Sequence, residues 1–287
     1  MRATAIERYN VIPKPPVRPA DAHKGTAGLV LIVAGSRGMA GAAALAGLAA
    51  LRAGAGLVRI ATPDRVLDTV AGLAPCCTTS PLPDDGAHLA REAAQVVLKL
   101  AEGQHAIAMG PGLGQTDGVA GVVQAVLAHA AIPVVLDADG LNVLGRHAHI
   151  AFKAARAPII ITPHPGEAAR LLGVTTQEVQ ADREAAAAHL AALGAVAVLK
   201  GHGTVVTDGK RLYVNTTGNP GMATGGAGDV LTGMLAALVA GGMKPFEAAV
   251  LAVWAHGRAG DLAAEQRGIL SLTALDILDC VPQALRL

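Results

Sequence analysis

The feature that most constrains this chain is a glycine-rich segment that runs directly into an apolar one, between Asn219 and Leu235. Glycines crowd its first half, and the residues from Val230 to Val239 are rich in Leu, Ala and Met, which favour helix. The pattern predicts a loop over residues 224–228 that opens a helix. The first N–H groups of a helix have no internal partners, and glycines let an anion approach them closely. The segment is therefore either a phosphate-binding loop or an ordinary glycine-rich helix start.

One carboxylate, that of Asp229, falls in the predicted first turn of this helix. An acid beside an anion-binding loop is costly for anion binding unless it takes part in the chemistry. Its natural role is to accept the proton of a hydroxyl group while the hydroxyl oxygen attacks a phosphoryl group. Asp229 is therefore the candidate catalytic base.

The composition limits the kinds of protein that this chain can be. Of its 287 residues 52% are hydrophobic but only 2% are aromatic, so the core must consist of aliphatic side chains. A net charge of +1 gives no argument for a nucleic-acid or membrane partner. The 3 cysteines are too few and too badly spaced for a disulfide framework or a zinc site, which indicates free thiols in a reducing compartment. No signal peptide or membrane span is visible, so we expect a cytoplasmic protein.

Short apolar runs alternate with helical segments along the chain, a pattern typical of parallel strands that are buried on both faces. Strands are predicted at residues 29–33, 57–61, 106–109, 133–140, 158–162, 195–199, 205–207 and 212–214. Asp208-Gly209, between the last two, is typical of a β-hairpin. We therefore predict an α/β fold of three layers, with a mostly parallel central sheet and helices on both faces.

The domain organisation follows from one change in composition. Residues 1–23 are polar and rich in proline, so they are predicted to form an extended arm that packs on the body or on a neighbouring subunit. No further break in composition appears, so residues 24–287 are predicted to form one domain. The stretch from Pro63 to Asp85 is less regular, and one helix is predicted from Gln177 to Leu193.

Several predicted strands end in segments that suit a ligand, because folds of this type bind ligands at the carboxyl ends of their strands. Glycine-rich turns follow two of them, at residues 35–43 and 110–114. The first of these is either a plain tight turn or a binding loop. Asp137 and Asp139 close another strand, where they either hold Mg²⁺ through water or cap the next helix.

Two further strand ends carry chemically distinctive residues. His164 lies between two prolines on a short loop, where either a structural role or a ligand contact fits it. Glu167, three residues later, is either a first-turn helix acid or a metal ligand. Lys200 begins the turn Lys-Gly-His-Gly-Thr at the end of the next strand.

The loop Gly225–Asp229 resembles the signature of ribokinase-like kinases, in which Gly-Ala-Gly forms an anion hole and Asp is the base. With four other motifs in the same order, the chain resembles the ADP-dependent NAD(P)H-hydrate dehydratases. The motifs are Gly35-Ser-Arg-Gly-Met-Ala-Gly-Ala, Gly110-Pro-Gly-Leu-Gly, His164-Pro-Gly-Glu, Lys200-Gly-His-Gly-Thr and Asn219-Pro-Gly-Met-Ala-Thr-Gly-Gly-Ala-Gly-Asp. Ala227 stands where many members have Ser, an exchange that keeps the backbone donors. Only a short arm precedes Lys24, so the chain resembles the stand-alone dehydratase rather than the bifunctional members with an epimerase domain.

The resemblance implies a role for each matching residue. Asp229 is the catalytic residue and contacts the hydrated dinucleotide. The other hydrate contacts that it implies are Gly41, Ala42, one of Gly112 and Gly114, and His164. The implied nucleotide-binding residues are Lys200, Gly201, His202, Gly203, Thr204, Gly226, Ala227 and Gly228. Glu167 matches the residue that organises Mg²⁺ in related sugar kinases, where Asn is usual at the position of His164.

The resemblance also implies the reaction. ADP or ATP donates a phosphoryl group to the hydroxyl of the S-epimer of hydrated NADH or NADPH, and elimination of phosphate restores the reduced nicotinamide. Mg²⁺ is the implied cofactor and a homo-oligomer, with a tetramer favoured, is the implied assembly. Two alternatives stay open. One is a small-molecule kinase for pyridoxal, hydroxymethylpyrimidine or hydroxyethylthiazole, and the other is a catalytically idle nucleotide-binding module.

Overall fold

A computed structural model describes residues 6–287, which form ten strands and twelve α-helices. The strands are β1 (Glu7–Arg8), β2 (Leu29–Val33), β3 (Leu57–Pro63), β4 (Thr78–Leu82), β5 (Ala106–Met109), β6 (Val134–Leu136), β7 (Ile159–Ile161), β8 (Val196–Leu199), β9 (Val205–Thr207) and β10 (Arg211–Val214). The helices are α1 (Ala40–Arg52), α2 (Leu67–Leu73), α3 (Ala93–Ala101), α4 (Asp117–His129), α5 (Asp139–Asn142), α6 (Ala148–Lys153), α7 (Pro165–Leu172), α8 (Thr176–Ala181), α9 (Arg183–Ala192), α10 (Ala227–Ala240), α11 (Pro245–Arg267) and α12 (Ala274–Ala284).

The strands form one sheet in the order β1-β10-β9-β8-β7-β6-β5-β2-β3-β4. Neighbouring strands run parallel except at β9, which is antiparallel to both β8 and β10. The predicted hairpin is present, with Thr207 opposite Leu212. Because β2 to β8 are parallel, their carboxyl ends lie at one edge of the sheet, and the five sequence motifs all follow strands there or open α10.

Helices cover both faces of the sheet, as predicted. Val30 and Ile32 of β2 face one core, which α1, α10, α11 and α12 complete. Leu31 and Val33 of the same strand face a second core, formed with α3, α4, α7 and α9. Successive side chains of a strand point to opposite faces, so both sides of the sheet are dry.

Helix α10 lies at the centre of the first core, since 12 of its 14 residues are buried. A helix that is apolar on all sides is typical of such a position. Its approach to α1 is close: a side chain at Gly233 would overlap the Ala46 carbonyl group. Small residues at the crossing therefore allow α10 to pack closely against α1. Such close packing explains a core that is rich in Ala and Gly and poor in aromatics.

Two predicted segments were wrong in detail. The stretch 63–85 contains α2 and β4. The helix predicted over 177–193 is two helices, α8 and α9, because the Asp182 side chain accepts a hydrogen bond from Ala185 N and starts a new helix.

The described part of the N-terminal arm packs on the body, one of the two positions predicted for it. Strand β1 pairs with β10 in parallel. Both terminal guanidinium nitrogens of Arg8, Nη1 and Nη2, donate to Glu184, at 2.8 and 2.6 Å. Residues 1–5 of the arm lie outside the described part. Across residues 6–287, none of the helices combines the length and the apolar character that crossing a membrane requires.

Candidate active site

The amino end of α10 is built to receive an anion. Gly226 is its N-cap, in the left-handed conformation with φ of 89°. A side chain there would come within 2.6 Å of Leu45 Cδ1, so glycine is required by both conformation and space. The N–H groups of Gly228 and Asp229 donate to no acceptor among the described residues. They form a site at the positive end of the helix dipole.

The segment before this loop is fixed to α11. Asn219 Oδ1 accepts from Gly221 N at 3.0 Å, and Asn219 Nδ2 donates to Asp261 at 3.1 Å. The same carboxylate accepts from Gly218 N at 3.0 Å. The Asn-Pro-Gly start of the motif thus positions the loop, while its Gly-Gly-Ala-Gly-Asp end forms the cradle.

A cation lies beside the cradle. Lys200 Nζ donates to Asp137 Oδ1 at 2.6 Å and lies 3.9 Å from Glu167 Oε2. A side chain at Gly228 would be 3.4 Å from the same ammonium group. Burial lowers the pKa of Lys200, but the two carboxylates outweigh burial and leave that pKa raised, so the ammonium stays charged.

Asp229, in the first turn of α10, has the properties of a general base. Its carboxylate forms no hydrogen bond or ion pair among residues 6–287. Burial raises its pKa to about 7; the Asp137 carboxylate adds to the shift and the Lys200 ammonium opposes it. A base works best when its pKa is close to the operating pH. The base predicted from the sequence therefore lies beside an anion cradle and a fixed cation.

Neither of the two acids at the end of β6 caps the next helix, one of the two roles that the sequence left open for them. The Asp137 carboxylate accepts hydrogen bonds from Lys200 Nζ and from Thr232 Oγ1, which donates to its Oδ2 at 2.7 Å. Asp139 is the first residue of α5 rather than its cap, and its carboxylate accepts from Gly114 N and Gln115 Nε2 at 2.8 and 3.0 Å. The two side chains diverge because Ala138 between them has a φ of 49°.

His164 caps a helix. Its Nδ1 accepts from the N–H groups of Gly166 and Glu167, and Glu167 Oε2 accepts from His164 N at 2.8 Å. The pair is a capping box at the start of α7. Nδ1 is thus the unprotonated nitrogen, and Nε2 lies 3.3 Å from Glu167 Oε1. Burial and the nearby Lys200 and Arg170 lower the pKa of His164, so the ring is neutral.

Two glycine-rich loops meet next to this edge. A side chain at Gly112 would come within 3.2 Å of Ala42 Cβ, so the 110–114 loop lies against the start of α1. Gly114 is covered by the His88 ring and tied to Asp139. Gly41 is exposed and open, and Ala42 is buried below it. Of the two glycines named as hydrate contacts, Gly112 is the one beside Ala42.

The turn after β8 requires its glycines. Gly201 and Gly203 have φ of 134° and 62°, and Thr204 Oγ1 donates to Gly201 O at 2.9 Å. His202 is exposed at its tip. Arg183, which the sequence reading placed on a solvated face, is half-buried and donates to Leu199 O and Lys200 O at 2.9 and 3.1 Å. It holds this turn in place.

His256 is a second residue that sequence reasoning missed. It lies inside α11, and its Nε2 donates to Ala227 O at 2.9 Å, directly behind the cradle. Burial lowers its pKa to about 4, so the ring is neutral and Nε2 carries the proton. Its only sequence signal is a histidine that directly follows the apolar run 248–255.

The described residues contain no group of three or more His, Cys, Asp or Glu side chains able to enclose a metal ion. Glu167, the predicted metal ligand, is buried, and burial raises its pKa against the opposing effect of Lys200. Mg²⁺ at nucleotide sites usually takes one or two carboxylates and completes its shell with phosphate oxygens and water. A site of that kind needs a carboxylate from the protein, and Glu167 is the one that the sequence predicted for it.

A mostly parallel sheet with a glycine-rich helix start, a buried lysine and a carboxylate at one edge places the chain in the ribokinase-like class of α/β proteins. The family model for NAD(P)H-hydrate dehydratase matches residues 30–283. The chain belongs to that family, as its five motifs indicated.

Individual relatives agree. The chain is 45% identical over 275 residues to a bifunctional NAD(P)H-hydrate repair enzyme of Moorella thermoacetica, covering 94% of this chain but 52% of the relative. The first curated relatives are thus about twice as long as the part that this chain matches. An ADP-dependent (S)-NAD(P)H-hydrate dehydratase of Bacillus subtilis is 40% identical, with 93% and 92% covered. A crystal structure of the ADP/ATP-dependent enzyme from that organism, grown with ATP and Mg²⁺, matches with a TM-score of 0.81 at 36% identity, covering 94% and 93%.

Proposed function

We propose that this chain is an ADP- or ATP-dependent dehydratase that restores NADH or NADPH from the S-epimer of the hydrate. The observation that carries the proposal is the grouping of Asp229, Lys200 and the free N–H groups of α10 at one strand-end edge. Relatives that the chain covers over most of their length are named for the same activity.

The proposed reaction starts with proton removal. Asp229 takes the proton of the hydrate hydroxyl as its oxygen attacks the terminal phosphoryl group of the nucleotide. The N–H groups at the start of α10 and the Lys200 ammonium stabilise the charge on that group. Phosphate is a far better leaving group than hydroxide, so the lone pair of the ring nitrogen expels it. Loss of a proton then regenerates the dihydronicotinamide.

Mg²⁺ is the proposed cofactor. When bound, it neutralises charge on the phosphate oxygens, as metal ions do in phosphoryl transfer. Glu167 would hold it. The residues that bind the nucleotide are Lys200, Gly201, His202, Gly203, Thr204, Gly226, Ala227 and Gly228. The residues that contact the hydrate are Gly41, Ala42, Gly112 or Gly114, His164 and Asp229. These assignments are supported by the resemblance and by the meeting of the loops at one edge.

The test is one incubation of the (S)-hydrate of NADH with Mg²⁺ and ADP. We expect free phosphate, AMP and NADH in equal amounts, followed by phosphate assay, chromatography and the absorbance of reduced nicotinamide. A kinase would release no free phosphate. Phosphorylation of pyridoxal or a pyrimidine alcohol, with no return of absorbance from either nucleotide, would establish the kinase alternative. Nucleotide binding without any turnover would indicate the idle module.

His164 has a capping role that must be separated from the proposed contact with the hydrate. Replacement by Ala removes the cap, which costs about 1 kcal/mol of stability. Replacement by Asn keeps a cap oxygen and removes the ring. We expect His164→Asn to retain the unfolding temperature while its KM for the hydrate rises about tenfold and its nucleotide affinity, measured by calorimetry, stays unchanged. An unchanged KM would leave His164 with the capping role alone.

A homo-oligomer, with a tetramer favoured, remains a prediction from the resemblance. Near the start of α12, Leu270 is fully exposed, Leu275 is 59% exposed and Ile269 is 50% exposed. Such apolar side chains suit a subunit contact. Light scattering on the purified protein measures the subunit number directly.

A further inference from the structure

The carboxylate of Asp137 has no role in the reaction as described, yet it is only 1% exposed. Each of its oxygens has one partner: Oδ1 accepts from Lys200 Nζ at 2.6 Å and Oδ2 accepts from Thr232 Oγ1 at 2.7 Å. Burying a carboxylate is costly unless it is paired and hydrogen-bonded. The pairing links three elements that are far apart in the sequence, namely the ends of β6 and β8 and the body of α10.

The bonded group of Asp137, Lys200 and Thr232 lies next to the anion cradle at the start of α10. Thr232 is completely buried and lies three residues after Asp229, on the same helix. A threonine inside a helix commonly bonds back to its own backbone, but this hydroxyl donates across to Asp137. A Cβ at Gly228 would be 3.4 Å from Lys200 Nζ and 3.8 Å from Asp137 Oδ2. The ammonium is therefore held within reach of the free N–H groups of the first turn.

The backbone at Asp137 also carries strain. Ala138 has a φ of 49°, the one positive value among non-glycine residues of the described chain. Such a conformation is unfavourable for a residue with a side chain and persists where the surrounding structure fixes it. It points Asp137 toward Lys200 and leaves Asp139 to hold Gly114.

We propose that Asp137 is a positioning residue for phosphoryl transfer, which clamps the Lys200 ammonium against the first turn of α10 while Thr232 fixes the carboxylate. The inference rests on the proposed function. A lysine has a flexible four-carbon stem, so an unclamped ammonium would sample many positions. Charge that is already in place costs no reorganisation during the reaction. The other charges facing this ammonium are Glu167, at 3.9 Å, and Asp229.

The clamp predicts a split between binding and rate. In Asp137→Asn the ammonium is released but a repelling negative charge near the phosphates is also lost. We therefore expect kcat with the hydrate to fall at least about tenfold, while ADP binding measured by calorimetry is unchanged or tighter. The same variant should shift the acid limb of the pH–kcat profile to lower pH, because the Asp137 carboxylate is one cause of the raised pKa of Asp229. A residue that only supports the fold would move neither quantity in this way.

Thr232 provides a matched pair of variants. Thr232→Val keeps the shape and loses the hydroxyl, so kcat should fall about threefold to tenfold. Thr232→Ser keeps the hydroxyl and should restore kcat to within about twofold. Equal losses in both variants would overturn the clamp, as would an unchanged kcat in Asp137→Asn. Should Asp137→Asn fail to fold, the Thr232 pair decides the question.

A further measurement separates this inference from the proposed function. AMP with aluminium fluoride and Mg²⁺ imitates the phosphoryl group in transfer from ADP, without any hydrate. We expect the wild type to bind this combination more tightly than AMP alone, and Asp137→Asn to lose about tenfold or more of that gain. A retained gain overturns the clamp. A wild type with the gain but with no turnover of hydrate refutes the proposed function and leaves the clamp intact.

Discussion

Two glycine-rich loops of this protein look alike in the sequence, and each contains a left-handed glycine, but they differ in what surrounds them. Each follows the sheet edge and opens a helix, α1 with 13 residues and α10 with 14. Gly38 before α1 and Gly226 before α10 have φ of 85° and 89°. Neither helix has a side-chain cap, so both leave backbone donors free.

The surroundings decide what each loop can do. The first turn of α1 contains no acid, and the buried polar groups beside it are the hydroxyls of Ser36 and Thr62. The first turn of α10 contains Asp229 and faces Lys200. A cradle without an acid can hold an anionic ligand, but phosphoryl transfer also needs a base and a fixed cation. The two loops thus share a glycine pattern that suits an anion, and only the α10 loop adds a carboxylate and a fixed ammonium group.

The largest expected effect comes from removing the charge that distinguishes α10. Asp229→Asn keeps the shape of the side chain and loses the base, so turnover of the hydrate should fall about a hundredfold or more. ADP affinity, measured by calorimetry, should be retained because the N–H groups and Lys200 are unchanged. Near-normal turnover in the purified variant would show that the α10 loop needs no carboxylate for its chemistry.

A second prediction concerns pH. The pKa of Asp229 is raised to about 7, so the base is protonated at lower pH and kcat should fall about tenfold per pH unit below about 7. The raised pKa of Asp229 also means that the folded protein is more stable when this carboxyl group is protonated. The folded pKa lies above the ordinary value of 3.8, so the ionised carboxylate destabilises the protein increasingly as the pH rises toward and through 7.

Asp229→Asn removes that cost. Its unfolding temperature relative to wild type should therefore be higher at pH 8 than at pH 4, measured by calorimetry in buffers of equal ionic strength. A kcat that is flat from pH 5 to pH 8 in the wild type, with chemistry limiting the rate, would contradict a base with this pKa.

The sequence predicted the fold and the position of Asp229 because those depend on local patterns. Apolar runs of strand length, a glycine cluster and a helix-forming run are each readable within about ten residues. The cap at His164 was also readable, since Pro and Glu stand at the first and third helical positions after it. The sequence left its role open because a histidine is an unusual cap.

The partners of Asp137 could not be read in the same way. Lys200 is 63 residues away in the chain and Thr232 is 95. Such contacts depend on how β6, β8 and α10 come together, which no local pattern records. Thr232 and His256 lie beside apolar runs of α10 and α11, and only the folded chain shows what they bond. The charged surroundings of the α10 loop were thus the part that the sequence least determined.

Crowding provides a third way to test the comparison between the loops. Gly226→Ala and Gly38→Ala share the cost of placing alanine at a left-handed φ, about 1–2 kcal/mol. A methyl group at Gly226 would also meet Leu45 Cδ1 at 2.6 Å and Ala274 Cβ at 3.0 Å, whereas Gly38 faces open space. Overpacking adds about 1–3 kcal/mol at Gly226 only. Denaturant unfolding should therefore show the larger loss of stability for Gly226→Ala, and equal losses would mean that the α10 loop is no more tightly held than the α1 loop.

The smallest expected effect tests whether the α1 loop binds the hydrate at all. Gly41 is helical, exposed and without any heavy atom within 4 Å of a Cβ placed on it. Alanine there should raise stability by about 0.5–1 kcal/mol, because glycine is the poorer helix former. A bound hydrate would meet the new methyl group, so its KM should rise about threefold to tenfold while the affinity for ADP stays constant. The stability gain shows that the helix is intact, so any rise in KM belongs to the contact with the ligand. If the variant is more stable and its KM for the hydrate is unchanged, the α1 loop does not contact the hydrate. The α1 loop would then have a structural role alone.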